Sequence, residues 1–244
     1  MRKYILFSVF FLCVGLTNAQ IRLIGYGVKA GVNVSNIRSN LIAFKDILQS
    51  SMVTISKPPV MGLNAGSFVQ FSLNSRLELQ PQVLYSQTGY NISIANPAGS
   101  DLDFNYRFSY LNVPLLLKYH VKDFSVSIGP QLGFMLNASR KINEGTKILE
   151  ASIKKNMRST DFSGIIGLDY TLPKQGILFS ANFQLGLTDI ASTKNDPAAF
   201  TTLDPKVDSY IFDPVKLNAF SFTVGYTFKP KIQKKKSVHK TTKK

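Results

Sequence analysis

The sequence has little of the chemistry that enzymes and metal proteins use. Its 244 residues include one cysteine, two histidines, no tryptophan and 14 acidic residues. Cys13 lies in an N-terminal apolar segment, so the rest of the chain has no thiol and can form no disulfide. His120 and His239 are far apart in sequence and belong to no Cys/His cluster of the kind that holds zinc. We therefore expect no catalytic residues, no cofactor and no metal site.

The chain also lacks a long hydrophobic run. A transmembrane helix needs about 18 or more consecutive apolar residues, and the run at 4–16 is shorter than that. Arg2 and Lys3 precede this run and the small residue Ala19 follows it, which is the pattern of a secretory signal peptide at 1–19. Because Phe11 and Leu12 before Cys13 do not form a lipoprotein cleavage site, we expect no lipid anchor.

Alternation of apolar and polar residues is the main feature of the remaining sequence. It occurs in eight stretches, at 26–35, 61–73, 77–86, 111–120, 124–137, 162–171, 177–188 and 220–228. Period-two alternation predicts strands with one apolar and one polar face. The polar face consists mainly of Gly, Ser, Thr, Asn and Gln and has few charges, unlike a strand face that water covers. Pro114 and Pro130 fall inside two of these stretches, where we expect β-bulges.

The connections between these stretches alternate in length. Short ones at 74–76, 122–123 and 173–176 separate long ones at 36–60, 93–105, 139–160 and 189–215. This pattern is typical of transmembrane β-barrels of the bacterial outer membrane. The sequence therefore predicts an all-β, eight-stranded antiparallel up-and-down barrel over 20–228, with short periplasmic turns, periplasmic termini and long extracellular loops. Aromatic residues at the short-turn ends of the strands match an interfacial girdle: Tyr26, Phe71, Tyr119, Tyr170, Tyr226 and Phe228.

A soluble lipocalin-like barrel or sandwich is the alternative, with the apolar face turned inward. In the transmembrane barrel the polar face lines the lumen, and it includes Lys29, Glu78, Lys118 and Asp169. Buried charges need partners, so we expect a structural ion-pair plug, with a proton or ion pathway as the alternative. Eight strands enclose an interior that side chains fill, which argues against a wide pore. His120 lies at the short-turn end, away from the outer rim where outer-membrane hydrolases meet their substrates, so we do not expect an enzyme.

The formal net charge of +15 is concentrated in two segments. The third long loop, 139–160, has six basic and two acidic residues. We expect the basic ones to face outward and contact lipopolysaccharide phosphates, with a solvated loop as the alternative: Arg140, Lys141, Lys147, Lys154, Lys155 and Arg158. The tail at 229–244 is too charged to fold alone. Its basic residues are Lys229, Lys231, Lys234, Lys235, Lys236, Lys240, Lys243 and Lys244.

Export argues against nucleic acid as the partner of this tail. The remaining partners are acidic phospholipid headgroups, anionic cell-wall polymer or an acidic periplasmic protein, and a plain solvated tail is the other alternative. In the first long loop, Ile37, Leu41, Phe44 and Leu48 have helical spacing. This predicts a short helix that caps the barrel, with a docking site for a partner as the alternative.

Several segments also resemble the PorT-type outer-membrane β-barrel family of Bacteroidetes. They are GVKAGVNVSNI (27–37), LELQPQVLYSQTGY (77–90), YLNVPLLLKYHV (110–121), FSVSIGPQLGFMLNAS (124–139), DFSGIIGLDY (161–170), ANFQLGLTDI (181–190) and FSFTVGYTF (220–228). The resemblance implies an eight-stranded barrel and a role as an accessory of type IX protein secretion, with periplasmic or inner-membrane secretion components as partners. A small-solute- or lipid-handling barrel and a surface adhesin are the alternatives.

Overall fold

The computed structural model describes residues 21–38, 54–95, 102–144, 147–190 and 215–230. These ranges contain a 3-10 turn at Lys154–Asn156 and the strands β1 (Arg22–Arg38), β2 (Thr54–Ser56), β3 (Val60–Ser72), β4 (Leu77–Ala95), β5 (Leu102–Val121), β6 (Phe124–Glu144), β7 (Lys147–Ser152), β8 (Thr160–Leu172), β9 (Ile177–Gly186) and β10 (Lys216–Phe228). No helix within them is long and apolar enough to cross a membrane. The expected signal peptide, the loop residues Leu41, Phe44 and Leu48, and the tail beyond Pro230 lie outside the described residues.

Eight of the described strands close into a ring. Their order is β1-β3-β4-β5-β6-β8-β9-β10, every pair is antiparallel, and β10 pairs with β1 to complete the circle. This confirms the predicted up-and-down barrel. Residues 73–76, 122–123 and 173–176 form its short connections. We call the end of the barrel with these connections the turn end and the opposite end the loop end.

The outer face of the ring is apolar over its middle part. On β5 the exposed residues of this face are Leu111, Val113, Leu115, Leu117 and Tyr119, and the other ring strands continue the same band, which we call the apolar belt. A soluble protein rarely exposes a large continuous apolar surface, whereas a barrel in lipid presents such a band to the acyl chains. The soluble alternative, which needs these residues inside, is therefore wrong.

Aromatic rings border the belt at the turn end. Tyr26 and Phe228 stack with ring centroids 5.5 Å apart, and Tyr226 meets Phe228 edge to face at 4.9 Å. Phe124 and Tyr170 form a further pair at 4.8 Å. These positions match the girdle expected from the sequence, since aromatic side chains favour the boundary between lipid and water.

The strands on one side of the barrel are longer than the sequence analysis predicted. β4 continues to Ala95, β5 begins at Leu102, and β6 reaches Glu144 and pairs there with β7. The predicted loops at 93–105 and 139–160 are therefore wrong, because most of these residues are in strands. We call residues 87–95, 102–110, 137–144 and 147–152 the loop-end extension; β2 adds to its edge through β4.

The polarity of the inner and outer faces of the barrel changes where the loop-end extension begins. Along β5, the inward residues change from the aromatic set Phe104, Tyr106, Phe108 and Tyr110 to the mixed set Asn112, Pro114, Leu116, Lys118 and His120. The outward residues change in the opposite sense, from Asp103, Asn105, Arg107 and Ser109 to the belt residues. Within the belt the barrel thus has an apolar exterior and an interior that holds the buried polar and charged residues together with some apolar ones. Beyond the belt it has an apolar interior and a mostly polar exterior.

A β-bulge on β6 lies at this change. Ser109 pairs with Asn137 and Tyr110 pairs with Met135, so Leu136 is an additional residue. Beyond the bulge, alternate residues of β6 point inward, and Arg140 is buried rather than outward, which corrects the expectation for that residue. Pro114 and Pro130 are not bulge sites, because the register continues unchanged through both. Each proline lacks an N–H group and so omits one ladder hydrogen bond without an added residue.

Candidate functional site

The lumen brings together two of the four charged residues that the sequence placed there. The Lys118 ammonium lies 3.0 Å from Asp169 Oδ2, and both side chains are only 2% exposed. Lys118 is on β5 and Asp169 on β8, with β6 between them. In the register, β6 places Ser127 beside Lys118 and Ser125 beside Asp169. Because these serines are small, the lysine chain can cross β6 and reach the carboxylate.

A hydrogen bond extends this pair to the next strand. Ser180 on β9 lies directly opposite Asp169 in the register, and its hydroxyl donates to Asp169 Oδ1. Three strands of one side of the barrel are therefore joined through a single buried carboxylate. Such a buried charge is tolerated when an opposite charge and hydrogen bonds replace water.

Glu78 and Lys29 have different surroundings. Glu78 is opposite Lys118 in the register, but its Oε2 lies 2.8 Å from Nε2 of His120, which is one-third exposed at the turn end. Lys29 is buried between Gly66 and Gly225 of the neighbouring strands, which leave room for its side chain. Within the described ranges no carboxylate lies at ion-pair distance from the Lys29 ammonium.

A cavity of about 30 Å³ adjoins Lys29 in the middle of the barrel. Four amide oxygens that line it have no hydrogen-bond partner in the structure: those of Asn33, Asn64, Gln82 and Asn182. A space of this size holds about two water molecules. The lumen within the belt is therefore filled by polar side chains together with a few buried apolar ones, around a small cavity with room for water.

Aromatic packing fills the interior of the loop-end extension. Tyr90 and Tyr106 stack with centroids 4.4 Å apart, and Phe108 contacts Tyr90 at 5.9 Å. Ile153, Met157, Ile190 and Val215 join the same cluster from the loop end. Burial raises the pKa of Tyr90 well above its ordinary value, and repulsion by Tyr106 adds to the shift, so the hydroxyl stays neutral.

This aromatic core was not among the expectations from the sequence, although the sequence contains a signal for it. Phe104, Tyr106, Phe108 and Tyr110 alternate with Asn105, Arg107 and Ser109, and the apolar phase then moves by one residue at Leu111. The adjacent pair Tyr110-Leu111 marks the point at which the apolar face of the strand changes from the inner to the outer one. If each strand is assumed to have one continuous apolar face, the predicted strand begins at Leu111 and the residues before it are assigned to a loop.

The basic residues of the third predicted loop are mostly on the surface. Lys141 pairs with Glu150 at 3.2 Å, both half-exposed, and Lys154, Lys155 and Arg158 are exposed. Lys147 is on β7, and Arg140 is the buried exception described above. Of the eight tail lysines, Lys229 is described: it is exposed, and its ammonium donates to the Pro173 carbonyl at 3.3 Å. The described residues contain no group of three or more potential metal ligands.

Comparisons with known proteins give one family match. A sequence profile described as "Outer membrane protein beta-barrel domain" matches residues 18–192. No curated protein sequence matches the chain.

Among solved structures, the attachment invasion locus protein Ail of Yersinia pestis has 13% identity and a TM-score of 0.41 over 85% of this chain and 100% of its own. Neisserial surface protein A has 10% identity and a TM-score of 0.43 over 83% and 97%. The outer membrane protease OmpT of Escherichia coli has 8% identity and a TM-score of 0.41 over 87% and 100%.

Proposed function

The chain belongs to the family of outer membrane protein β-barrel domains, and on that premise we propose that it is a closed, non-enzymatic barrel that acts as a docking component of the outer membrane. The observation that carries this proposal is the interior, which is filled in both halves. Within the belt it contains the Lys118–Asp169 pair and a cavity of about 30 Å³, and beyond the belt it contains the aromatic cluster around Tyr90.

A filled interior supports docking over transport. A solute pathway needs a water-filled passage along the whole axis, as in barrels of sixteen or more strands. Here an ion would have to displace a buried ion pair and then cross a stacked tyrosine layer. The outer surface of the extension is mostly polar, with Ile148 and Leu149 of β7 as exposed apolar residues, and paired strands carry it beyond the belt. Such a surface can contact another macromolecule.

The proposed orientation puts the turn end in the periplasm and the loop-end extension outside the cell. Short turns on the periplasmic side and longer segments outside are the rule for such barrels. In this orientation both ends of the ring's chain, Arg22 of β1 and Phe228 of β10, face the periplasm, and the lysines that follow Phe228 enter that compartment.

The proposal that the protein is not an enzyme has support in the position of its one barrel histidine. His120 lies at the turn end with Nε2 against Glu78, and no serine is among its hydrogen-bond partners in the described residues. A hydrolytic triad needs a nucleophile within hydrogen-bond distance of its histidine.

The most specific form of the proposal is an accessory role in type IX protein secretion, with the lysine tail in contact with a periplasmic or inner-membrane component of the machinery. Its support is the sequence resemblance at the strings given above and the eight lysines of 229–244. The loop-end extension would then serve cargo or partner proteins at the cell surface. Surface adhesion is the second candidate, because the same polar extension favours it.

Two experiments test these proposals. Purified protein refolded into planar lipid bilayers is expected to give no stable conductance steps, and reproducible steps would contradict the closed barrel. In the cell, mass spectrometry of surface and secreted proteins would compare three strains: a gene deletion, a truncation after Phe228, and a tail whose eight lysines are replaced by glutamine.

Retention of cargo in the periplasm in all three strains would support secretion through the charges of the tail. Retention in the deletion alone would assign the role to the barrel. Normal secretion in every strain would overturn the secretion proposal, and binding of the deletion strain to host or matrix surfaces would then test adhesion.

A further inference from the structure

A pocket lies at the turn end of the outer wall, between the β8–β9 turn and the end of β10. Its volume is about 480 Å³, within the range of small-molecule sites. Two ammonium groups, those of Lys174 and Lys229, line it together with the girdle rings Tyr26, Tyr226 and Phe228. None of its lining side chains is acidic.

The fold holds this pocket in place through the backbone. Gly176 closes the β8–β9 turn with φ +72°, a conformation that suits glycine. The Gly176 carbonyl accepts a hydrogen bond from Thr227 N at 2.8 Å, which fastens the turn to β10. Lys229 then reaches back to the Pro173 carbonyl at 3.3 Å. The two lysines thus come from different parts of the chain and are brought to one opening.

A separate apolar groove lies further up the same outer wall, on β10 and its neighbours. It has a volume of about 390 Å³ and its walls include Phe179, Phe222 and Val224. Ala181 lies opposite Phe222 in the register, where its small side chain leaves a depression among larger residues. Along β10, Val224 in the groove is two residues from Tyr226 in the pocket, on the same face. The groove therefore lies next to the pocket along β10 on the belt side, one pair of outward residues away.

We propose that this pocket and groove form a binding site for one anionic phospholipid, with its phosphate at Lys174 and Lys229 and one acyl chain in the groove over Ala181. Charge complementarity identifies the headgroup, since ammonium groups donate strong hydrogen bonds to phosphate. The apolar groove inside the belt suits an acyl chain. Tyr26, Tyr226 and Phe228 lie between the two, at the depth where aromatic rings meet the ester region.

The surroundings of the site have the same sign of charge. Arg22, Arg76 and Lys122 are also exposed at the turn end, where Asp123 is the one exposed acidic residue among the described positions. Lysines near a membrane surface attract acidic lipid. This inference rests on the placement of the barrel in the outer membrane. With the proposed orientation, it places the lipid in the periplasmic leaflet, where phospholipids reside.

Native mass spectrometry of the delipidated full chain in detergent micelles would test the site. The probes are phosphatidylglycerol and phosphatidylcholine with identical acyl chains, and inorganic phosphate as a competitor. We expect one tightly bound phosphatidylglycerol, at least about tenfold preference over phosphatidylcholine, and little displacement by free phosphate. Equal retention of the two lipids, or full displacement by phosphate alone, would overturn the proposal.

Variants separate this site from general attraction to a basic surface. Lys174→Gln with Lys229→Gln removes both pocket charges and is expected to weaken phosphatidylglycerol binding about tenfold or more. Arg76→Gln with Lys122→Gln removes two charges at the same end but outside the pocket, and is expected to keep the affinity within about twofold. Equal losses in both double variants would overturn the site.

A third variant tests the proposed position of the acyl chain. Ala181→Phe fills the groove without a change of charge, and is expected to weaken binding of both lipids. Unchanged binding in this variant would place the acyl chain elsewhere and overturn the groove assignment. All variants are at exposed or lipid-facing positions, and heat-modifiable mobility on gels checks their folding. Failure of lipid binding would leave the conductance and secretion tests unaffected, so the two proposals fail separately.

Discussion

Lys118 and Asp169 form a buried ion pair, 3.0 Å apart, across the intervening strand β6. Removal of one partner leaves an uncompensated charge in a low-dielectric interior, which costs about 3–5 kcal/mol. We therefore expect Lys118→Met and Asp169→Asn each to reduce the free energy of unfolding by about this amount, and the double variant to recover much of the loss. Urea unfolding in lipid vesicles, followed by the fluorescence of the 10 tyrosines in this tryptophan-free chain, measures it. Additive losses in the double variant would show that the two groups are not coupled.

The exchange of polarity along β5 predicts opposite responses to the same substitution. Leu115 is outward in the apolar belt, and an arginine there costs about 2–4 kcal/mol near the middle of a bilayer. Asn105 is outward on the same strand in the loop-end extension, between the polar residues Asn91 and Lys141. We expect Leu115→Arg to lower the free energy of unfolding in vesicles by that amount and Asn105→Arg to change it by less than about 0.5 kcal/mol. Equal effects at the two positions would place the lipid boundary elsewhere.

The aromatic core predicts a local loss of stability in the extension. Phe108 is 1% exposed, and its replacement by alanine opens a cavity that costs about 3–5 kcal/mol. Phe134 in the belt is 43% exposed, so Phe134→Ala costs less because lipid fills the space. Hydrogen exchange is the measurement: Phe108→Ala is expected to speed exchange over 87–95 and 102–110 while the ring within the belt stays protected. If exchange accelerates over the whole barrel, the extension is not a separate cooperative unit.

Two glycines form a matched pair of predictions about packing. A Cβ added at Gly27 would lie 2.1 Å from the Tyr226 carbonyl and 2.5 Å from the Phe68 ring, whereas one at Gly164 would meet nothing within 4 Å. Overpacking of this kind costs about 1–3 kcal/mol. We expect Gly27→Ala to reduce the folded fraction on heat-modifiable gels and in urea titration, and Gly164→Ala to leave it unchanged. A normal folded fraction for Gly27→Ala would show that β1 and β10 can separate at low cost.

The sequence predicted the barrel because its evidence is local. Whether a residue such as Val113 or Leu117 faces lipid depends on its position within a strand, and period two is visible without any partner strand. The short connections at 122–123 and 173–176 likewise reveal antiparallel neighbours, since a connection of a few residues can only join adjacent strands. Eight strands, their order and the girdle at the turn end follow from these two features.

The pairing of charges depends on the register between strands and on how far a side chain can extend across a neighbouring strand. The sequence of a single strand reveals neither. The sequence predicted that Lys29, Glu78, Lys118 and Asp169 share one lumen, but it did not predict which of them are in contact. The structure pairs Lys118 with Asp169 because β6 carries serines at 125 and 127, and it places Glu78 against His120. These outcomes require the side-by-side alignment of three strands. Which residues line the lipid pocket depends in the same way on the closure of β10 against β1.

The sequence by itself determined the membrane barrel, its strand order and its two kinds of connection, because alternation and loop length are properties of neighbouring residues. Only the tertiary structure decided the height of the wall on the β4–β7 side and the apolar core within it. The additional residue at Leu136 moves the later side chains of β6 to the other face. On β5 the facing continues unchanged, and at Tyr110-Leu111 the apolar residues change from the inward to the outward positions. Which of these positions faces lipid, water or the interior becomes defined when the strands pair and enclose a common interior.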